Sequence, residues 1–329
     1  MAKNFIESSL IQPDNTFEEP LRPQYLQDFV GQTNVCDCLE VAIGAALQRG
    51  EALGHCLFSG PPGLGKTTLA NILAKAMQSN LITTSGPVIE KAGDLAGLLT
   101  SLKTGDILFI DEIHRLNRTV EEFLYQAMED YVIDLMIDSG PNARTVRIKL
   151  NKFTLAGATT RLGLLSEPLR SRFNFTYRLD YYDHNTLEKI IQRTSRIINI
   201  SIDADSAFEI ARRARGTPRI AIHLLRWVRD YAQMRANNRV DLSVVQSALQ
   251  MLSIDKRGLD DMDKKILQVM IELYQGGPVG LNTIAACVGE EASTIEEVYE
   301  PYLIMEGLLE RTARGRKATP LAYRHLGEG

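Results

Sequence analysis

The chain has 329 residues, with 37 lysines and arginines against 41 aspartates and glutamates, so its formal net charge is −4. This balance excludes a generally basic nucleic-acid-binding protein, and any contact with nucleic acid must come from a local patch. No apolar run reaches the roughly eighteen residues of a membrane span, and the first residues lack a signal-peptide core, so we expect a cytoplasmic location.

The first half of the chain alternates apolar strands with helices. Residues 1–24 are polar and proline-containing, and they predict an irregular arm. The domain that follows, at residues 25–182, is expected to hold a mainly parallel sheet with helices on both faces. Its strands are predicted at Cys56–Ser59, Ile107–Ile110 and Thr154–Ala158, and its helices at Leu39–Leu47 and Leu69–Met77.

The segment 132–150 interrupts this alternation. Two runs with apolar residues at every second position flank Ser139-Gly140-Pro141-Asn142, which is typical of a β-hairpin. Because it falls between the second and third predicted strands, the hairpin is an insertion.

The second half changes character. Residues 183–254 carry helical periodicity and no strand pattern, which predicts a small helical domain. Residues 255–329 predict three helices and a β-wing, which is a winged-helix pattern. The apolar stripe of its first helix comprises Ile266, Val269, Met270 and Leu273; the other helices are expected at Leu281–Val288 and 291–307, and the wing at 308–319.

Gly60-Pro61-Pro62-Gly63-Leu64-Gly65-Lys66-Thr67 fits the phosphate-loop pattern G-x-x-x-x-G-K-[ST], between a predicted strand and a helix. The glycines, Gly63 and Gly65 among them, let backbone N–H groups face phosphate oxygens. Lys66 is expected to reach the β- and γ-phosphates, and Thr67 to bind Mg²⁺. The helix starting at Thr67 or Thr68 presents its positive end to the anion.

Asp111 and Glu112 end the second apolar strand. Asp111 is expected to bind Mg²⁺ and Glu112 to polarise the attacking water. Together with the phosphate loop, they predict that the chain binds and hydrolyses ATP.

Two further sites fit hydrolysis. Thr159 and Thr160 close the third strand, where a hydroxyl could orient the water, and the sequence does not choose between them. Arg170 and Arg172 follow Pro168, and arginine suits a transition-state contact because it stays charged and forks onto phosphate oxygens.

These motifs, in this order, resemble the AAA+ ATPases. Arg22-Pro23, Phe29-Val30-Gly31-Gln32, Asp111-Glu112-Ile113-His114-Arg115-Leu116 and Gly216-Thr217-Pro218-Arg219 narrow the resemblance to the RuvB family, the Holliday-junction branch-migration motors. The resemblance implies a P-loop AAA+ domain, a helical lid and a winged helix. It also implies a homo-hexameric ring that acts in recombination and repair on a four-way junction with RuvA and RuvC.

The resemblance also assigns residues. Arg172 becomes an arginine finger acting on the neighbouring subunit's ATP, and Arg219 a sensor of the γ-phosphate in its own subunit. Leu21, Arg22 and Tyr182 are expected near the nucleotide, and Glu129, Asp130 and Tyr131 at the nucleotide site or the subunit interface. The hairpin is expected to dock on RuvA through an apolar face drawn from Ile133, Leu135, Ile137, Val146 and Ile148, unless that face packs on its own domain.

Charge locates the predicted DNA contact in the wing. The start of the third winged helix is acidic, whereas the residues from Arg311 to Gly327 include five basic side chains and no acid. We therefore predict phosphate contacts from Arg311, Arg314 and Arg316, which position DNA without reading its sequence. A nucleotide-switched loader or initiator is the alternative function, and a protein unfoldase has less support because it leaves the basic wing unexplained.

Overall fold

The computed structural model describes residues 5–11, 15–136 and 145–327. They divide into two compact units, one formed by Arg22–Asp180 and the other by the described residues up to Leu21 together with those from Tyr181 onward. None of the helices in these ranges is both long and apolar enough to cross a bilayer.

The Arg22–Asp180 unit is built on a five-stranded parallel sheet of order β2-β3-β6-β1-β7. The three predicted strands, β1, β3 and β6, are confirmed in its middle. The two edge strands, β2 and β7, were missed because they are less buried and carry threonine, serine or arginine between their apolar residues. The strands of the unit are β1 Cys56–Ser59, β2 Leu81–Ser85, β3 Ile107–Asp111, β4 Val132–Met136, β5 Thr145–Lys149, β6 Thr154–Thr159 and β7 Phe175–Arg178.

Helices supply the second layer of this unit and close its core. The N-terminal ends of two of them are capped by side chains, from Asn117 to the N–H of Val120 and from Ser166 to the N–H of Leu169. The helices span Thr33–Arg49, Lys66–Ala76, Ala92–Ser101, Arg118–Asp130 and Glu167–Ser171. The fully buried strands β1, β3 and β6 are typical of a parallel sheet covered on both faces.

The inserted hairpin is confirmed as the antiparallel pair β4–β5, separate from the main sheet. Ile133 is opposite Ile148, and Leu135 is opposite Val146, so these four share one face. Ile133 is fully buried in the core of its own unit, and Leu135 and Ile148 pack partly against it. Most of this face therefore packs on its own domain, so the expectation that Ile133 contacts a partner is wrong. Val146 remains 40% exposed, and Ile137 and the turn lie outside the described residues.

The described part of the predicted N-terminal arm is helical, at Phe5–Ile11 and Asn15–Glu18, so the expectation of an irregular arm is wrong there. Ile6 is fully buried, which the polar average of the segment concealed. The helical character of residues 183–254 is confirmed, with helices His184–Ile197, Ala204–Arg213, Pro218–Arg235 and Leu242–Met251.

The winged-helix pattern is confirmed, with three departures. Helices Asp261–Tyr274 and Leu281–Val288 match the prediction, but Leu273 is 63% exposed and does not belong to the buried stripe. The third helix is divided into Ala292–Thr294, a π-helical turn at Ile295–Tyr299, and Glu300–Met305. Pro301 accounts for this turn, because it has no N–H for the carbonyl of Glu297. The wing strands are β8 Leu309–Thr312 and β9 Gly315–Ala318, and an unpredicted helix, Pro320–Gly327, follows them.

Candidate functional site

The phosphate loop connects the end of β1 to the helix Lys66–Ala76, as its mechanism requires. Gly60, Gly63 and Gly65 have positive φ angles of 141°, 78° and 104°. A side chain on Gly60 would collide with the carbonyl of Leu179, and a Cβ on Gly65 would lie 2.9 Å from the ring of Phe29. The loop therefore requires glycine at these two positions for both backbone conformation and space.

Positive charge is concentrated at the end of this loop. Gly65 caps the helix Lys66–Ala76 without a side-chain hydrogen bond, so the first backbone N–H groups of the helix have no side-chain cap competing for them. Lys66 is only 8% exposed, and its ammonium donates to the carbonyls of Gly60 and Pro61, each at 2.7 Å. These contacts hold the lysine along the loop, and this donor set suits a polyphosphate.

The sheet places the residues predicted to bind the metal and the water at the carboxyl ends of its strands, where the phosphate loop also lies. β3, which ends in Asp111, and β1, which leads into the loop, flank β6, and all three run parallel. The N–H of Gly60 donates to the carbonyl of Thr159 at 3.1 Å, which ties the loop to the end of β6. The hydroxyl of Thr67 and the carboxylate of Asp111 are oxygen ligands of the kind that Mg²⁺ prefers, with phosphate and water supplying the rest. Among the described residues there is no cluster of three or more acidic, histidine or cysteine side chains that could hold a metal alone.

Glu112 directly follows β3 in the left-handed region, with φ 47° and ψ 42°. This conformation is uncommon for a residue with a side chain, and such strain concentrates at functional sites. Its carboxylate accepts a hydrogen bond from Arg115 at 2.9 Å, and both side chains are substantially exposed. An exposed pair of this kind is weak, so Arg115 does not prevent Glu112 from turning to a water molecule.

The two threonines at the end of β6 differ in what their hydroxyls contact. Thr159 is fully buried, and its hydroxyl accepts from the N–H of Arg161 and lies 3.0 Å from Nδ1 of His114. The hydroxyl of Thr160 makes no hydrogen bond within the described residues, and the residue is partly exposed. The two hydroxyls therefore differ in their accessibility, and which of them orients the water remains a prediction.

Arg172 lies at the amino ends of the parallel strands, whereas the phosphate loop lies at their carboxyl ends. Arg172 precedes β7, and the N–H groups of Asn174 and Phe175 both donate to the carbonyl of His55, just before β1 begins. The loop instead follows the end of β1. Arg172 donates to Glu129 at 2.7 Å and to the carbonyl of Pro168 at 2.8 Å. From the amino ends of the strands, Arg172 cannot reach phosphates bound by the loop of its own subunit.

The amino ends of the strands also carry Glu129, Asp130 and Tyr131. The preceding residue, Met128, has its carbonyl 3.2 Å from Nε2 of His55, and the Tyr131 ring packs edge-on against Phe153, just before β6. These three residues therefore lie at the opposite end of the strands from the phosphate loop of their own subunit, and their assignment to the nucleotide site or the subunit interface remains a prediction.

The remaining nucleotide residues are divided between the two units. Arg22 lies in the phosphate-loop unit, whereas Leu21, Tyr182 and Arg219 belong to the other one. Arg219 is in the first turn of the helix Pro218–Arg235, where it contacts Glu18 at 3.3 Å and the Leu10 carbonyl at 3.3 Å. The roles of these four residues stay predictions.

The wing is less freely basic than the sequence indicated. Arg311 and Arg316 are opposite each other on β8 and β9, and both pair with Glu296 and Glu300 of the third helix. Arg316 reaches Glu300 at 3.0 Å through a side chain only 13% exposed, so it is not the exposed cation that was predicted. The acidic residues of the third helix face the wing, which the order of charges along the chain does not reveal. Arg314 and Lys317 are exposed and have no ion pair within the described residues.

Sequence reasoning missed three supports of the phosphate site. The ring of Phe29 packs against Gly65, and the side chain of Gln32 donates to the carbonyl of Asp180 at 2.6 Å and accepts from its N–H at 3.2 Å. His114 contacts the buried hydroxyl of Thr159. Each of these contacts joins segments that are far apart in the chain, so no local spacing could have assigned them.

Comparisons with known proteins agree with this architecture. Three family profiles match, described as the Holliday junction DNA helicase RuvB P-loop domain at 21–179, the RuvB AAA lid domain at 182–255, and the RuvB C-terminal winged helix domain at 256–327. The chain is 73% identical over 326 residues to a Protochlamydia amoebophila protein named Holliday junction branch migration complex subunit RuvB, covering 99% of this chain and 98% of that protein. A Chlorobaculum tepidum protein of the same name is 60% identical over 96% of this chain and 93% of its own length.

Solved structures point the same way. The structure of the Thermotoga maritima RuvB Holliday junction branch migration motor matches with a TM-score of 0.86 and 51% identity, over 94% of this chain and 98% of that one. The chain therefore belongs to the RuvB family of P-loop AAA+ ATPases.

Proposed function

We propose that this protein is an ATP-driven DNA motor that moves the branch point of Holliday junctions during recombination and repair, in the cytoplasm. The single observation that carries the proposal is the joining of a P-loop ATPase domain to a winged helix in one chain, as in its RuvB relatives. The function rests on the names of those relatives and on the chemistry of the site described above.

ATP and Mg²⁺ fit the residues present. Backbone N–H groups around Gly63 and Gly65, with Lys66, would hold the β- and γ-phosphates, and the N–H groups near Thr67 and Thr68 face the same anion. Thr67 and Asp111 would bind the magnesium ion, which neutralises charge on the phosphates. Glu112 would then orient and polarise the attacking water, assisted by the hydroxyl of Thr160.

The site needs a residue from a second subunit. An arginine near the γ-phosphate stabilises the transition state of phosphoryl transfer, but Arg172 lies at the amino ends of the strands, away from its own phosphate loop. In the proposed closed ring, each subunit would present this side to the phosphate loop of its neighbour. Arg172, with Glu129 beside it, would then complete the neighbour's site. We propose a homo-hexamer on this basis. Arg219 would sense the γ-phosphate within its own subunit.

The exposed cations of the wing suit a motor that must move over any sequence. We expect Arg314→Ala to weaken binding to duplex DNA and to reduce the slope of log K against log salt by about 0.9, the value for one phosphate contact. Arg316→Ala should instead destabilise the winged helix, because it leaves the buried Glu300 paired only with Arg311, at 3.4 Å. Fluorescence anisotropy over a salt series measures the slope.

Arg324→Ala is the matched control, since Arg324 is also exposed but belongs to the last helix and not to the wing. An unchanged salt slope for the Arg314 variant would remove the wing tip from the DNA contact.

RuvA and RuvC are the proposed protein partners, with RuvA docking on the hairpin. With Ile133 buried, the apolar contact narrows to Val146 near the end of the pair β4–β5. Val146→Asp is expected to abolish RuvA binding and RuvA-stimulated ATPase activity while leaving the unstimulated rate unchanged, because the hairpin is separate from the main sheet. Surface plasmon resonance with immobilised RuvA measures the loss.

Met234→Asp controls for the added charge, because Met234 is 80% exposed and lies in the helix Pro218–Arg235, outside the hairpin. Retention of RuvA binding by the Val146 variant would exclude this face of the hairpin as the docking surface.

A nucleotide-switched loader is the alternative from another functional class. It would share the phosphate site and the winged helix, but it would place DNA and not move it. A synthetic four-way junction separates the two functions, since a motor converts it into duplex products with ATP and a loader only binds it.

A further inference from the structure

The turn before the predicted sensor Arg219 contains a second arginine with very different surroundings. Arg215 and Gly216 both have positive φ angles, 55° and 64°, and they join the helices Ala204–Arg213 and Pro218–Arg235. The turn is fixed by its own hydrogen bonds, since the hydroxyl of Thr217 donates to the carbonyl of Arg215 at 3.1 Å. The carbonyl of Gly216 accepts from the N–H of Tyr182 at 2.9 Å. Both residues predicted near the nucleotide in this unit, Tyr182 and Arg219, therefore adjoin this turn.

The side chain of Arg215 points away from the lid and into the start of the winged helix. It is 2% exposed and pairs with Asp263 and, at 3.3 Å, with Asp260. Its Nε donates to the carbonyl of Gly258 at 2.8 Å, and its guanidinium lies 4.9 Å from the ring centre of Tyr302. One side chain of the lid thus contacts the linker and two helices of the winged helix.

The two acids that hold Arg215 also cap the first helix of the winged domain. Asp260 accepts from the N–H groups of Met262 and Asp263, and Asp263 accepts in return from the N–H of Asp260, forming a capping box. Any displacement of Arg215 is therefore passed to the N-terminus of the helix Asp261–Tyr274. Burial raises the pKa of Asp263 well above its ordinary value, and the charge of Arg215 opposes this rise.

A second buried pair strengthens the same junction. Arg213 pairs with Glu209 in its own helix and donates to the carbonyl of Ile254 at 2.9 Å. A Cβ on Gly258 would lie 2.8 Å from the carbonyl of Arg213, so the linker passes directly against the end of the lid helix. Buried ion pairs and backbone hydrogen bonds thus hold the linker against the lid, whereas linkers between independently moving domains are exposed.

We infer that Arg215 is the positioning residue that transmits movement of the nucleotide-sensing turn to the DNA-binding winged helix. Without it, the lid would still respond to ATP, but the winged helix would follow that response less faithfully. Arg215 touches neither the nucleotide nor DNA in this role. The inference rests on the proposed function, because it concerns how hydrolysis is coupled to movement.

The test compares Arg215→Met in an Asp263→Asn background with Asp263→Asn alone. The background variant keeps an acceptor oxygen for the capping box and removes one of the two buried carboxylates that would lose their cation, so that only Asp260 loses its ion pair in the double variant. We expect the double variant to bind four-way junctions and hydrolyse ATP like its control. Branch migration per ATP hydrolysed should fall by roughly two- to thirtyfold, the range for mutations along a coupling network.

The ratio of movement to hydrolysis distinguishes coupling from mere structure. A simple loss of folded protein lowers both rates together and leaves the ratio unchanged, which would overturn the inference. Leu249→Ala, in the fully buried lid core, provides that comparison. Arg215→Lys retains the charge without the fork that reaches both Asp263 and Gly258, and it decides the question if the double variant does not fold. Failure of the wild-type protein to move junctions would contradict the proposed function and not this inference.

Discussion

Arg172→Ala is expected to lower ATP turnover by about 10³- to 10⁵-fold while leaving nucleotide binding intact, as for the loss of an arginine finger. The substitution leaves the nucleotide-binding residues of the same subunit unchanged, because Arg172 lies at the amino ends of the strands and the phosphate loop at their carboxyl ends. Steady-state ATPase assays with DNA and RuvA, together with titration of a fluorescent nucleotide, separate the two effects. Arg170→Ala is the matched control, since Arg170 is exposed and belongs to the same short helix.

Mixing experiments test whether Arg172 acts on the neighbouring subunit. A subunit with Arg172→Ala keeps its own Glu112, and a subunit with Glu112→Gln keeps its own Arg172. Mixed rings contain some interfaces at which both functional residues meet, so activity should reappear on mixing. Normal turnover by the Arg172 variant would refute the finger, and absence of rescue would refute its action between subunits.

Glu112→Gln is expected to reduce turnover by about 10²- to 10⁴-fold, the usual contribution of a general base, with ATP still bound. The substitution keeps the size of the side chain and removes the charge that polarises water. A single-turnover measurement of ATP cleavage reports the chemical step directly. Asp106→Asn serves as a control, because Asp106 lies at the start of β3, at the opposite end from Asp111. Wild-type cleavage rates in the Glu112 variant would move the role of base to another residue.

The two threonines provide an internal comparison in the same assay. Thr160→Val should slow cleavage without affecting nucleotide binding, whereas Thr159→Val should lower thermal stability, because it removes the acceptor for the N–H of Arg161. The opposite pattern would assign the water-orienting hydroxyl to Thr159.

The central part of the fold was predictable because its signals are local. Strands β1, β3 and β6 are uninterrupted apolar runs, and the phosphate loop is a contiguous motif between a strand and a helix. The edge strands β2 and β7 lack such runs, since an edge strand is less covered and tolerates polar residues. The short N-terminal helix Phe5–Ile11 has four apolar residues among its seven, but it lies in a segment that is polar on average, and the burial of Ile6 depends on contacts that no local pattern encodes.

The errors within the site came from pairings between distant residues. Charge counted along the chain placed acids on the third winged helix and bases on the wing, but it could not show that Glu300 and Arg316 meet. Similarly, the sequence could not show that Glu129 lies beside Arg172 at the amino ends of the strands. The positions of both pairs follow from strand direction and register, which only the folded chain defines. The buried contact of Arg215 with Asp263 belongs to the same class.

The most direct test of the central claim is movement of a synthetic four-way junction with non-homologous ends and a homologous core. The wild-type protein, RuvA, ATP and Mg²⁺ are combined at fixed salt, with the Glu112→Gln variant as the bound but inactive reference. We predict conversion of the junction to duplex products that requires hydrolysis, with the reference retaining the junction in a stable complex. If the wild-type protein binds the junction and hydrolyses ATP while the branch point stays in place, the protein is a loader and the account of a motor is wrong.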